Sequence, residues 1–99
     1  TANGVHVHMA VIRSQYRPDV IRVRQGDRVV IDITNAESAR DATHGFGLHG
    51  YNINASIDPG ATQRVEFVAS RPGVYPFYCT EFCSALHMEM AGWLLVQPR

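Results

Sequence analysis

Arg28-Val29-Val30-Ile31-Asp32-Ile33-Thr34 (RVVIDIT) is the stretch on which the fold turns. Its alternation puts Val29, Ile31 and Ile33 on one face, and its β-branched residues suit a half-buried pleated strand. Upstream, the Gln25-Gly26-Asp27 turn separates it from residues 19–24, and residues 6–12 alternate in the same way. Downstream, residues 35–42 are polar, with no apolar side chain larger than alanine, and read as a loop. Residues 44–50 and 53–57 are short strand candidates, followed by an Asp58-Pro59-Gly60 turn. Residues 62–68 alternate around Val65 and Phe67, Arg71-Pro72-Gly73 turns into residues 74–78, and residues 92–97 form the last strand. Short strands at a spacing of roughly 8–12 residues with Gly or Pro between them predict an all-β antiparallel sandwich or barrel.

The chain has 99 residues and a formal net charge of zero, with 45% apolar and 18% charged residues. That length holds one domain, residues 1–99, and excludes a large stand-alone enzyme. The nine basic residues, all Arg, are matched by nine acidic ones. A general nucleic-acid binder needs a basic excess to neutralise phosphates, so that class is excluded. No apolar run approaches the ~18 residues that a membrane-spanning helix requires. The chain starts at Thr1 with neither Met nor a signal-like segment, as expected of a processed product or a piece of a larger protein.

One segment departs from the strand pattern: Cys79-Thr80-Glu81-Phe82-Cys83-Ser84-Ala85-Leu86-His87-Met88-Glu89-Met90. Cys79, Cys83, His87 and Met90 would share one stripe of a helix, so a short amphipathic helix is one reading. The other is a metal loop, because thiolate, imidazole and thioether are soft or borderline donors that favour copper or zinc over magnesium or calcium. A mononuclear electron-transfer copper takes two His, one Cys and a distant Met. A second Cys changes that count, since two thiolates can each bridge two copper ions, and each ion then needs a terminal imidazole. His87 supplies one. His44 and His49 are the candidates for the other, with His44 slightly ahead because Gly45 lets a partner approach the backbone. His6 and His8 lie two apart on a strand and are expected on a solvated face.

The pattern C-x-E-x-C-x3-H-x2-M, with His44-Gly45-Phe46, the Pro72-Gly73-Val74-Tyr75 turn and Ala91-Gly92-Trp93-Leu94-Leu95-Val96, resembles the dinuclear copper (CuA) domains. These occur in nitrous-oxide reductase and in cytochrome c oxidase subunit II. The run Phe82 to Met90 resembles the reductase, whereas Glu81 and Asn52-Ile53-Asn54 also resemble bacterial oxidases. The resemblance implies a cupredoxin-like Greek-key β-sandwich. It implies two copper ions held by His44, Cys79, the backbone carbonyl of Glu81, Cys83, His87 and Met90. It further implies a periplasmic electron relay, fed by a cytochrome c or a small copper protein. The acceptor would be the catalytic domain of the parent enzyme, across a homodimer in the reductase.

Around these residues, Asp41 is placed to orient the His44 ring, or is simply a solvated loop carboxylate. The Glu81 and Glu89 side chains are expected in solvent, Met88 as a gap-filler or surface contact, and Trp93 in the core. Tyr75 and Phe77 should share one strand face, with Tyr78 on the other. Two other classes compete: a copper carrier or storage protein, and a metal-free domain stapled by a Cys79–Cys83 disulfide.

Overall fold

The computed structural model describes residues 4–12, 15–38, 43–80 and 91–99. The strands are β1 (Gly4–Ile12), β2 (Gln15–Arg17), β3 (Val20–Arg24), β4 (Arg28–Asn35), β5 (His44–Leu48), β6 (Ile53–Ile57), β7 (Thr62–Val68), β8 (Gly73–Tyr78) and β9 (Ala91–Gln97). A 3-10 turn, His49–Tyr51, follows β5. Every strand expected from the alternation is present, with ends shifted by at most two residues. Only β2 had no signal, because three residues are too few to show a period.

The strands form two layers, one in the order β2-β1-β4-β7 and the other in the order β3-β9-β8-β5-β6. The all-β Greek-key sandwich is therefore present, but it is not purely antiparallel as expected. β1 runs parallel to β4, and β3 runs parallel to β9. The chain leaves β1 through β2, crosses to the opposite layer as β3, and returns as β4 running the same way as β1. Alternation is identical in parallel and antiparallel strands, so the pattern that located the strands carried no information about direction.

Between the layers lies one core. Val29, Ile31 and Ile33 of β4 are almost fully buried, as are Phe46, Leu48, Ile57, Phe77 and Leu94 from the other layer. Its centre is aromatic: the Tyr16 ring meets Phe77 edge-on at 5.2 Å and Phe46 at 5.9 Å, and Phe46 lies 5.1 Å from Phe77. Gly92 is required at this centre, because a Cβ there would stand 2.3 Å from Phe77 and 2.4 Å from the Asp19 carbonyl oxygen. The latter oxygen accepts the Trp93 N–H at 2.8 Å, so the backbones of β9 and the residue before β3 are in direct contact.

Trp93 is 48% exposed, which corrects its expected place in the core. Leu94 and Val96 point inward, so parity along β9 turns Trp93 outward whatever its hydrophobicity. Tyr75 and Phe77 do share a face, with Phe77 buried and Tyr75 packed against the core edge.

Candidate metal centre

β5 and β8 are neighbours, with Gly47 opposite Tyr78. β8 in turn pairs antiparallel with β9, and its last residue, Tyr78, stands opposite Ala91. The connection from β8 to β9 therefore leaves and returns at the end of the sheet where β5 begins with His44. Of the expected ligands, Glu81, Cys83, His87 and Met90 lie outside the described residues, as do Asp41, Met88 and Glu89. His44 and Cys79 are described, and the fold brings them together.

All five residues of β5 are buried. Such a strand is covered on both sides, and its sequence, His44-Gly45-Phe46-Gly47-Leu48, shows how. Phe46 and Leu48 enter the core, while Gly47 leaves room for the chain leading into the loop: a Cβ on Gly47 would lie 2.5 Å from Thr80 Cγ2. Thr80 is held in turn by a hydrogen bond from its hydroxyl to Asn54 Oδ1 at 3.1 Å.

Gly45 links the two donors. Its N–H donates to Cys79 Sγ at 3.4 Å, and its carbonyl accepts the buried Tyr16 hydroxyl at 2.6 Å. The Gly45 N–H thus points at the sulfur, the atom through which a cysteine binds a metal. Burial pushes the Tyr16 hydroxyl well above its ordinary pKa, and negative charge at Cys79 pushes the same way. Tyr16 therefore stays a donor and holds the backbone beside His44 in place. Nothing in the sequence marked this residue; the only signal available was one tyrosine among polar neighbours.

His44 is 1% exposed, and its Nε2 lies 3.7 Å from Glu37 Oε1. Glu37 is placed by a short chain of contacts. Its N–H donates to Asn35 Oδ1 at 3.0 Å, and the buried Asn35 amide donates to the Ile57 carbonyl at 3.0 Å. The polar segment after β4 thus carries the Glu37 carboxylate to the His44 ring; Asp41, expected either to orient that ring or to be solvated, lies outside the described residues. His49 is exposed in the 3-10 turn, with Tyr78 Oη 2.6 Å from its Nδ1. Burial beside Cys79 distinguishes His44 from His49, which the residues alone had left nearly equal.

A buried imidazole, a sulfur that accepts a peptide N–H and a soft-donor sequence that begins at Cys79 suit copper chemically. Known proteins resemble the chain in the same terms. The cupredoxin-like domain family profile matches residues 2–96. Nitrous-oxide reductase of Stutzerimonas stutzeri is 38% identical over 96 residues, 97% of this chain but 15% of the reductase. Cytochrome c oxidase subunit 2 of Thermus thermophilus is 34% identical over 95 residues, 96% of this chain and 67% of that subunit. A heme-copper terminal oxidase dimer contains a chain that superposes with a TM-score of 0.78 at 26% identity, covering 97% of this chain and 65% of that one. The chain thus spans only about a seventh of the length of the reductase it matches.

Proposed function

This chain belongs to the cupredoxin-like domain family, and from that premise we propose that it is an electron-transfer domain with a dinuclear CuA centre. The observation that carries the reading is the meeting of buried His44 with Cys79 through Gly45, at the mouth of the loop containing Cys83, His87 and Met90. Two copper ions would be held by His44, Cys79, Cys83, His87, Met90 and the backbone carbonyl of Glu81. When bound, such a pair supplies a one-electron couple whose charge is shared by two metals. The chain's own contribution is to hold the donors still. His44 is shielded from water in a strand covered on both sides, and Gly45 is restrained by Tyr16 on one side and by the sulfur on the other. Donors that move little between oxidation states keep the barrier to electron transfer small.

In this reading a cytochrome c or a small copper protein delivers the electron in the periplasm. The acceptor is the catalytic centre of nitrous-oxide reductase, across a homodimer. The higher identity to that enzyme supports it over the oxidase subunit, at 38% against 34%. The burial of His44 also speaks against a copper carrier, whose ligands must exchange readily.

Electron paramagnetic resonance of the copper-loaded protein, with copper counted per chain, tests the reading. One electron shared equally by two nuclei of spin 3/2 gives a seven-line pattern with two coppers per chain. A four-line pattern with one copper would overturn the dinuclear assignment.

A further inference from the structure

A second set of donors lies on the outer face of the β2-β1-β4-β7 sheet, away from the layer that carries His44 and Cys79. His6 and His8 are two apart on β1 and project to the same side. Their rings stack with centroids 4.5 Å apart and planes at 30°. The parallel register of β1 on β4 sets His8 opposite Asp32, and His6 Nε2 comes within 2.6 Å of Asp32 Oδ2. One ligand atom from each of the three residues lies within 4.8 Å of the others. Donors about 2.0–2.2 Å from a shared tetrahedral ion stand roughly 3.4 Å apart, so the exposed imidazoles must rotate inward by about 1 Å to close on one.

Two features make this arrangement more than a solvated surface. Arg64 of β7 donates from Nε to Asp32 Oδ1 at 2.7 Å and from a terminal nitrogen to Oδ2 at 3.0 Å. The carboxylate is therefore oriented from the side opposite the imidazoles, as outer partners orient metal-binding carboxylates. The scaffold beneath is also rigid, because β1 and β4 are paired over eight residues and Ile31 and Ile33, flanking Asp32, are anchored in the core.

We propose that His6, His8 and Asp32 form a binding site for a borderline divalent transition-metal ion such as Zn2+, Ni2+ or Cu2+, separate from the His44–Cys79 centre. Two imidazoles and one carboxylate, with no sulfur, favour such ions over Cu(I) on one side and over Mg2+ or Ca2+ on the other. The ion takes the place of the hydrogen between His6 Nε2 and Asp32 Oδ2, and Arg64 Nε keeps its bond to Oδ1. Water completes the coordination on the open side, which makes the ion exchangeable. An Asp32–Arg64 ion pair by itself requires neither histidine, whereas this site requires both.

The test is a titration of the full chain with Zn2+, followed by calorimetry and by residue-resolved NMR. A second titration uses the Cys79→Ser, Cys83→Ser protein, in which no thiolate competes. The expected result is one Zn2+ in the thiol-free protein, with shifts concentrated around His6, His8 and Asp32. The melting temperature should rise, because the ion binds only the folded arrangement. His6→Gln and His8→Gln, both at exposed positions, should each weaken binding at least ten-fold and abolish the thermal shift, while the copper content of the other centre stays unchanged. Zn2+ binding that is absent from the thiol-free protein, or equally tight in His8→Gln, would overturn the proposal. So would a loss of copper on substituting His8.

Discussion

Replacing Tyr16 by Phe removes one oxygen and leaves a consequence that can be calculated. The Tyr16 side chain is 3% exposed, and its hydroxyl is 2.6 Å from the Gly45 carbonyl. Phe keeps the ring contacts with Phe46 and Phe77 but strips a buried carbonyl of this partner. Leaving a buried acceptor unsatisfied costs about 1–3 kcal/mol. With a urea slope of roughly 1–3 kcal/mol per molar, a loss of about 2 kcal/mol moves the midpoint by the order of 1 M. Urea unfolding followed by far-UV circular dichroism on the metal-free protein reads this directly. The pH dependence supplies a second readout. The Tyr16 hydroxyl is raised in the folded protein from an ordinary value of 10.0, so the folded state holds its proton after the unfolded state has released it. Its contribution is therefore complete below that pH and falls as the pH climbs above it. The wild type should lose stability there faster than Tyr16→Phe, and the two midpoints should converge. Tyr51, also raised by burial, acts in both proteins and cancels from the comparison. Coincident midpoints at neutral pH, or a gap that stays constant in alkali, would refute the assignment of Tyr16 as the buried donor to Gly45.

Other expectations follow from single contacts. Gly92→Ala places a methyl against both Phe77 and the Asp19 carbonyl and should cost about 1–3 kcal/mol or more in a thermal melt. Adding Phe77→Leu should restore only part of that loss, because the clash with the Asp19 backbone remains. Hydrogen bonds from Arg64, and next from His6, hold the Asp32 carboxyl well below the usual carboxylate range. Its stabilising contribution is thus present above that range and is lost as the pH falls through and below it, so Asp32→Asn should flatten the acid limb of stability in pH-dependent urea midpoints. Cys83→Ser should abolish a dinuclear copper signal, whereas Met90→Leu should keep two coppers and shift the potential. A shared-electron spectrum that survives in Cys83→Ser would remove the bridging role.

Much of the architecture was legible because strands announce themselves locally. The parity of Val29, Ile31 and Ile33 marked the inner face of β4, and the Gly- and Pro-containing turns marked where strands stop. The same parity places Trp93 outward beside the buried Leu94, against its expected place in the core. Residue type and spacing likewise carry the soft-donor chemistry expected of Cys79, Cys83, His87 and Met90, of which Cys79 is among the described residues.

Other features depend on which strands meet, and a one-dimensional pattern does not encode that. β2 is a three-residue strand without a period, yet it delivers the Tyr16 hydroxyl to a carbonyl 29 residues away in the sequence. Glu37 belongs to a polar stretch that reads as plain loop, until the buried Asn35 turns it toward His44. His44 and His49 resemble each other as residues; one becomes buried beside Cys79 and the other pairs with Tyr78 at the surface. His6 and His8 share a face by parity alone, but Asp32 joins them only because β1 lies parallel to β4. Sequence by itself determined the strands and their inner faces, which follow from backbone geometry and side-chain chemistry within a few residues. Tertiary structure decided strand direction, which histidine is buried beside Cys79 and the contacts that hold it, because each is a meeting of segments far apart along the chain.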